Sequence, residues 1–336
     1  MLMNAQQQEY NILTRTVPSM HYPQAQSFGQ WQASLGQKLE ELLGLPLESC
    51  DPQLHVESVT QKNGYRDFRF TVQTEPEYYI PCHLLIPDGG QEQYPLTVCL
   101  SGHCNGMHIA LGEAKSEEDQ RSLDEWHHRA IGLRSVAEGR CALVIEARNF
   151  SETSVEGYGM SCTESAKIAI LMGRTVIGCR VWDAMRILDA VPAEFPQVDM
   201  TDIVATGNSG GGTAAYYLAC MDKRITAAAP SCSICDYAES IAAMPHCLCN
   251  HIPYSRKYFE MSDLAGLIAP RKLVIAAGKE DPIFPIDGTM RTFHQIRRIY
   301  EAAGAGENCA LVIGEQGHLN YADLLWEKLK KMGTKG

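Results

Sequence analysis

The sequence predicts an α/β fold in which one mixed, mostly parallel sheet lies between layers of helices. From residue 95 onward, short apolar runs alternate with stretches of helical periodicity. Such apolar runs are typical of parallel strands that helices cover on both faces. Between residues 54 and 87 the apolar residues instead recur with a period of two, which indicates antiparallel strands. We therefore expect a sheet that begins antiparallel and continues parallel.

Composition and charge limit the classes of partner. The chain has 336 residues, 45% of them hydrophobic, and a formal net charge of −11, and such an acidic protein repels nucleic-acid phosphates. Its first residues lack the basic region followed by an apolar region that is typical of a signal peptide. No apolar run reaches the roughly 18 residues that a membrane span requires. The 13 cysteines suit free, buried thiols in a reducing compartment. We expect a cytoplasmic protein with a small-molecule partner and without nucleic-acid or membrane partners, and the sequence leaves a homo-oligomer open.

The N-terminal region divides into a polar arm and a helix. Residues 1–25 are polar and are predicted to form an irregular arm. The next residues predict an amphipathic helix that ends near Gly44, because five large apolar residues recur at helical spacing: Trp31, Leu35, Leu39, Leu42 and Leu43. We assign 1–53 to an arm and helix packed on the core and 54–336 to the α/β domain.

The strands follow in a regular order. Asn63-Gly64 is a strong hairpin turn between the first two antiparallel strands. A long helix is predicted around 172–191, in which Arg180 and Asp183 are spaced to form an ion pair. The stretch 232–262 is too irregular for a plain crossover and is predicted to form a pocket over the sheet. The predicted strands are 54–60, 65–74, 78–87, 95–103, 141–148, 202–209, 225–231, 272–278 and 310–314.

The strongest chemical signal is Gly207-Asn208-Ser209-Gly210-Gly211, which lies between a predicted strand and a predicted helix. A serine hydroxyl is a poor nucleophile unless it is exposed and paired with a base. A sharp strand-to-helix turn exposes it above the sheet, and the flanking residues must be glycine because larger side chains would collide. The motif therefore predicts that Ser209 is a nucleophile.

A nucleophilic serine needs a base and an acid at later strand ends. In this arrangement the three residues occur along the chain in the order serine, acid, histidine. His318 follows the last apolar strand, which is the position of the base in that order. Asp281 follows the preceding strand and is our choice for the acid, since Pro282 stiffens the turn after it. Glu280 and Asp287 are its competitors.

Two backbone amides are also needed to bind the developing oxyanion. Gly210 should supply one of them from the start of the helix. The loop after the strand that ends at Leu100 should supply the other, through the amide of His103 or of Cys104. We expect the His103 amide to be the donor, with Cys104 as the next candidate.

Neighbouring polar residues are predicted to line a pocket rather than to bind a metal. Cys247 and Cys249 lie between His246 and His251, but four ligands within six residues form one closed zinc site with difficulty. We therefore predict no metal and no cofactor. The predicted pocket residues are Asn208, His246, Cys249 and Asn250.

A second cysteine motif, Cys232-x-x-Cys235, has the spacing of a redox pair. It lies at the end of a strand without the surrounding pattern of a thioredoxin unit, so we do not expect a redox function.

Taken together, these motifs resemble those of the acetyl xylan esterase-like α/β-hydrolases, which are related to the dienelactone hydrolase and prolyl oligopeptidase branches. The resemblance covers roughly residues 28–330. Two departures are Ser101-Gly102, where many hydrolases have His-Gly, and Glu146, where many have Asp. The matching stretches are LSGHCNGMH, GRTVIGCRVWDAMRILD, TGNSGGGTAAYYLA, HCLCNHIP, GKEDPIFP and GEQGHLNY.

The resemblance implies an α/β-hydrolase fold and hydrolysis of a carboxylic ester through Ser209, His318 and Asp281. It implies a deacetylase or acetyl esterase that acts on a small or carbohydrate substrate, and dienelactone hydrolase chemistry is disfavoured because that enzyme uses a cysteine nucleophile. Two alternatives remain, a serine peptidase of the prolyl oligopeptidase type and a non-catalytic binding protein with a hydrolase-like fold.

Overall fold

A computed structural model describes residues 3–125 and 129–333. Its centre is one sheet of nine strands in the order β1-β2-β3-β5-β4-β6-β7-β8-β9. The strands are β1 His55–Lys62, β2 Tyr65–Glu75, β3 Tyr78–Pro87, β4 Tyr94–Leu100, β5 Cys141–Ile145, β6 Val198–Asn208, β7 Ala227–Ser231, β8 Lys272–Gly278 and β9 Cys309–Gly314.

The sheet changes direction where the sequence pattern changes. β1, β2 and β3 pair antiparallel, and β3 also pairs antiparallel with β5. From β5 to β9 every neighbouring pair is parallel. The predicted hairpin at Asn63-Gly64 joins β1 to β2, with Gly64 at a φ of 87°. The prediction of a mixed, mostly parallel sheet is confirmed.

Helices cover both faces of the sheet. One face packs against α2, α6, α7, α9 and α10, and the other face packs against α4 and α11. The helices are α1 Ala5–Arg15, α2 Phe28–Leu43, α3 Glu117–Glu125, α4 Ile131–Ala137, α5 Cys162–Leu171, α6 Val176–Glu194, α7 Gly210–Met221, α8 Ser255–Tyr258, α9 Met261–Ile268, α10 Ile286–Ala302 and α11 Ala322–Lys331.

The predicted N-terminal helix forms as α2. Ser27 caps its first turn together with Gln30, and Gly44 ends it with a φ of 76°. Four of the five predicted apolar residues, Trp31, Leu35, Leu39 and Leu43, are fully buried, and Leu42 is partly buried against the same core.

Residues 1–25 contain a helix that the sequence analysis did not predict. α1 begins after Asn4, whose side chain accepts a hydrogen bond from the backbone amide of Gln7. The helix buries none of its residues, and for that reason it lacks the apolar periodicity that would have revealed it.

Two predicted strands end earlier than expected. β4 ends at Leu100 rather than at 103, and β5 ends at Ile145 rather than at 148. The chain leaves the sheet at both points to form loops at the carboxyl edge, which is where parallel sheets build their sites.

The ion pair predicted between Arg180 and Asp183 does not form. Arg148, from the loop after β5, donates hydrogen bonds to both oxygens of the Asp183 carboxylate at 2.6 and 2.7 Å. Arg180 instead donates to the carbonyl oxygen of Arg148 and to the thiol of Cys162. Helical spacing brings two charges within reach of each other, but a closer partner from another segment decides the pairing.

The predicted irregular stretch 232–262 contains a 3₁₀ turn, Leu248–Asn250, and the short helix α8. All 13 cysteines are free thiols. Within the described residues, no helix combines the length and the apolar character that crossing a membrane requires.

Candidate active site

A cavity of about 310 Å³ opens at the carboxyl ends of the parallel strands. It brings together the loop after β4, the turn between β6 and α7, the stretch 244–247 and the loop after β9. The residues that line it are Leu100, Ser101, Gly102, His103, Cys104, Ile109, Arg129, Ile131, Asn208, Ser209, Met244, Pro245, His246, Cys247, Ile283, His318 and Asn320.

Ser209 occupies the sharp turn between β6 and α7. Its φ of 56° and ψ of −126° are unusual for a residue with a side chain, and such strain is found at functional turns. A Cβ at Gly207 would lie 2.3 Å from the carbonyl oxygen of Leu100, and one at Gly211 would lie 2.0 Å from the same atom. Both flanking glycines are therefore required because the turn packs directly against the end of β4.

His318 and Asp281 meet beside this turn. His318 Nδ1 lies 2.9 Å from Asp281 Oδ2, and His318 lines the same cavity as Ser209. The other carboxylate oxygen of Asp281 accepts the backbone amides of Ile283 and Phe284 at 2.8 and 3.0 Å. The ring of Phe284 stacks on the imidazole of His318 with an interplanar angle of 12°, which fixes its orientation.

The Asp281 carboxyl group is held ionised by its neighbours. Burial raises its pKa, but the hydrogen bond to His318 and the amides of Phe284 and Ile283 outweigh burial and keep the pKa below the usual value. The two competing acids, Glu280 and Asp287, are exposed instead. Among the three, only Asp281 is recorded in a hydrogen bond with His318.

The loop after β4 faces the start of α7. Gly210 is the first residue of α7, and amides of a first helical turn have no partner within the helix. The imidazole of His103 lies against it, since a Cβ at Gly210 would be 3.0 Å from His103 Nδ1. Cys104 also lines the cavity, and burial raises the pKa of its thiol to about 11.

The four predicted pocket residues divide into two pairs. Asn208 and His246 line the cavity. Cys249 and Asn250 are not among the described residues that line it, because the 3₁₀ turn directs both side chains inward. Cys249 is fully buried with its sulfur 3.3 Å from His103 Nε2, and Asn250 Nδ2 lies 3.2 Å from His246 Nδ1.

Several residues of the site were missed by the sequence analysis. Arg129, Met244, Ile283 and Asn320 line the cavity but were not named as site residues, although Ile283 and Asn320 lie in the stretches GKEDPIFP and GEQGHLNY. Ile283 and Asn320 each lie two residues from a predicted acid or base, which is a usable signal. Met244 lies in the stretch 232–262, which was predicted to form a pocket, whereas Arg129 comes from an irregular segment without such a signal.

Glu146, which the sequence analysis noted only as a departure, lies under the loop after β4. Its two carboxylate oxygens accept the backbone amide of Met107 at 3.0 and 3.2 Å. Burial raises the pKa of Glu146 to about 8, and the Met107 amide lowers it only in part. This side chain ties the end of β5 to the loop that carries His103.

The thiols fall into separate environments. Burial raises the pKa of both Cys232 and Cys235 to about 12, whereas redox motifs lower a thiol pKa. Among the residues that the structure describes, two groups of side chains have their ligand atoms within 4.8 Å of one another. The first is Cys232, Asp281 and His318, and the second is His103, Cys162, Cys247 and Cys249.

A sequence model described as the Abhydrolase family matches residues 10–320. The chain belongs to the Abhydrolase family. The sequence of this abhydrolase is also 26% identical, over 175 residues, to that of the YtaP protein of Bacillus subtilis, which is named as a hydrolase. That match spans 51% of the chain and 58% of YtaP, so it extends over little more than half of the relative.

Solved structures agree on the fold of this abhydrolase. A protein of Bacteroides fragilis assigned as an acetyl xylan esterase superimposes with a TM-score of 0.78 at 19% identity, over 94% of this chain and 82% of that one. A glucuronoyl esterase from Solibacter usitatus gives a TM-score of 0.69 at 16% identity, over 94% and 96% of the two chains. The α/β-hydrolase fold that the motifs predicted is thereby confirmed.

Proposed function

We propose that this abhydrolase is a serine esterase that removes a small acyl group, acetyl above all, from a hydroxyl of a carbohydrate or a similarly small alcohol. The observation that carries the proposal is the 2.9 Å contact of His318 Nδ1 with Asp281 at a cavity that Ser209 also lines. Esterification of a serine followed by hydrolysis is the reaction that such a set of residues supports.

The proposed reaction begins with attack of Ser209 Oγ on the ester carbonyl carbon. His318 Nε2 takes the hydroxyl proton, while Asp281 accepts the hydrogen bond of Nδ1–H and stabilises the imidazolium that forms. His318 then gives that proton to the leaving alcohol, and the acyl group remains on Ser209. A water molecule attacks the acyl-enzyme by the same route and releases the carboxylic acid.

The oxyanion of each tetrahedral intermediate would be bound by backbone amides. Gly210 is one proposed donor because it opens α7 and faces the loop after β4. His103 is our choice for the second donor over Cys104, since its ring is fixed between Gly210 and Cys249. Each such donor contributes roughly 10²–10³ in rate.

The cavity favours a small acyl group. Its volume of about 310 Å³ is at the lower end for ligand sites. Apolar side chains from several segments surround the polar groups, and Arg129 and Asn320 add donors at the wall. The named activities of the two similar structures, an acetyl xylan esterase and a glucuronoyl esterase, support an ester of a sugar as substrate.

We also propose that residues 54–336 form the catalytic domain, with 1–53 as an arm and helix packed on its core. The described residues that line the cavity all belong to residues 54–336. Thirteen free cysteines support a reducing compartment such as the cytoplasm.

The proposal is tested by a hydrolysis panel. We expect turnover of p-nitrophenyl acetate and of acetylated xylo-oligosaccharides, and the comparison set is a methyl glucuronate ester and proline chromogenic peptides. Ser209→Ala should abolish turnover, whereas Ser262→Ala, the same change at a buried serine of α9 outside the described lining of the cavity, should retain it. Preferred turnover of the peptides would support a peptidase instead, and full activity of Ser209→Ala would exclude the mechanism.

A further inference from the structure

Three thiols and one imidazole converge beside the cavity from three distant segments of the chain. His103 comes from the loop after β4, Cys162 begins α5, and Cys247 and Cys249 flank the start of the 3₁₀ turn. The ligand atoms of all four lie within 4.8 Å of one another. None of the motifs that define the proposed hydrolase mechanism requires this arrangement.

The distances suit a tetrahedral metal site. Zinc binds thiolate sulfur at about 2.3 Å and imidazole nitrogen at about 2.0 Å, which separates ligand atoms by roughly 3.5–3.8 Å around a tetrahedron. The distance from Cys249 Sγ to His103 Nε2 is 3.3 Å, close to that separation without a metal present to set it. Two of the four side chains are buried and two are half-buried, so the cluster is closed on most sides.

Arg180 supplies an independent observation. It is 5% exposed and lies on α6 beneath the cluster, where it donates to Cys162 Sγ at 3.3 Å. No ion pair to a carboxylate is recorded for it within the described ranges 3–125 and 129–333, and its Nε has no hydrogen-bond partner there. A buried guanidinium is costly unless a negative charge compensates it. Neutral thiols do not provide that charge.

A bound zinc ion would account for the charge. Three thiolates, one neutral imidazole and Zn²⁺ carry a net charge of −1, which the Arg180 guanidinium neutralises. Soft thiolate ligands with one imidazole in tetrahedral positions select zinc among the common divalent ions. A closed set of four protein ligands is typical of a structural site rather than of one that activates water.

We propose that His103 Nε2 and the thiolates of Cys162, Cys247 and Cys249 bind one Zn²⁺ in a closed, structural site with Arg180 as its counter-charge. The zinc would hold the loop after β4 against α5, the cavity stretch 244–247 and the 3₁₀ turn Leu248–Asn250. His103 then acts as a positioning residue, because fixing its ring fixes the backbone amide beside Gly210. This last consequence rests on the proposed function, whereas the metal site itself does not.

No metal is predicted from the sequence, because the local spacing offers only His246 and His251 as partners of Cys247 and Cys249. In the structure His246 lines the cavity and His251 Nδ1 contacts the carbonyl oxygen of Cys247. The two missing ligands come from positions 103 and 162, which no local spacing rule connects to 247 and 249.

Metal analysis of the purified chain tests the site. We expect about one zinc per chain after expression in zinc-supplemented medium, and Cys249→Ala should lower the content at least tenfold. Cys141→Ala is the matched control, since Cys141 on β5 is an equally buried free thiol outside the cluster, and it should retain the metal. Equal zinc in the wild type and in Cys249→Ala would overturn the assignment.

Cobalt substitution keeps the test independent of how the variants fold. Wild-type protein, stripped with a chelator and titrated with Co²⁺, should develop thiolate-to-cobalt charge-transfer bands and the strong visible bands of tetrahedral cobalt at one equivalent. Absence of these bands would overturn the proposal. Ser209→Ala should give the same cobalt spectrum as the wild type, so failure of the esterase mechanism and failure of the metal site give different results.

Discussion

The two sides of the cavity are built in different ways. On one side, Ser209 and His318 follow the ends of β6 and β9, with Asp281 after β8 behind them. On the other side, His103 contacts Cys249, a residue 146 positions away in the chain, and Cys162 and Cys247 come from further segments. The first side depends on strand order, which the sequence reveals, whereas the second depends on long-range contacts, which it does not.

This difference predicts how each side responds to mutation. Residues of the first side take part in the proposed bond-making steps, so their loss should reduce the rate by orders of magnitude. Residues of the second side hold a loop in position, so their loss should reduce the rate less and should change stability as well.

Removal of the proposed base should have the largest effect. His318→Ala is expected to lower kcat by roughly 10⁴-fold or more, because Ser209 then has no proton acceptor. The measurement is steady-state hydrolysis of p-nitrophenyl acetate. His294→Ala, which removes an exposed histidine on α10, should leave kcat unchanged, and a loss of equal size in both variants would contradict the assignment.

Replacement of the proposed acid, Asp281, should have the second largest effect on the rate. Asp281→Asn is expected to lower kcat by roughly 10²–10⁴-fold, since an amide cannot stabilise the imidazolium or fix its tautomer. The matched control is Asp287→Asn, the same change at a competing acid that is exposed on α10. If Asp287→Asn were the more damaging of the two, the acid would have been assigned to the wrong residue.

Loss of the proposed zinc ion, which would lie on the His103 side of the cavity, should lower the rate less than loss of His318 or Asp281. Chelation of the wild type is expected to lower kcat by roughly 10–100-fold with a modest change in KM, as is seen when the groups that orient a site are removed. Added Zn²⁺ should restore the rate. The chelator should not reduce the activity of Cys249→Ala any further, and a further loss there would place the responsible metal elsewhere.

Glu146 should produce the smallest effect, and only on stability. Burial raises the pKa of Glu146 to about 8 in the folded protein, whereas the pKa of a glutamate in an unfolded chain is near 4.3. Between about pH 4.3 and pH 8 the folded state therefore binds more protons at this residue than the unfolded state does. Its contribution to stability is therefore fully present below about pH 4 and is lost as the pH rises to about 8.

Glu146→Gln should remove this pH dependence while it keeps an acceptor for the amide of Met107. The melting temperature of the wild type should fall relative to that of the variant between pH 5 and pH 8, which differential scanning fluorimetry would measure. Parallel curves for the two proteins would show that the carboxyl group is not protonated in the fold.

The sequence predicted the first side of the cavity because each of its features is local. Strand 272–278 was predicted with the bounds that β8 has, and the turn around Ser209 is set by glycines that meet β4. Asp281 and His318 then follow from the order of strand ends, since the carboxyl ends of parallel strands meet at one edge.

The remaining features could not be predicted because no local pattern encodes them. α1 buries none of its residues and so has no apolar stripe. Asp183 pairs with Arg148 rather than with its helical neighbour Arg180, and that choice depends on where the loop after β5 runs. Cys249 was predicted to line the cavity, and the 3₁₀ turn directs it beneath His103 instead.

Covalent labelling would show whether Ser209 is the nucleophile. A fluorophosphonate reacts with a serine only where a base and an oxyanion hole activate it, so the wild type should gain one label, and peptide mapping should locate it on Ser209. Ser209→Ala should remain unlabelled under the same conditions, and acetyl esters should slow the labelling of the wild type. A label on any other residue, or an unlabelled wild type that still hydrolyses p-nitrophenyl acetate, would contradict the account.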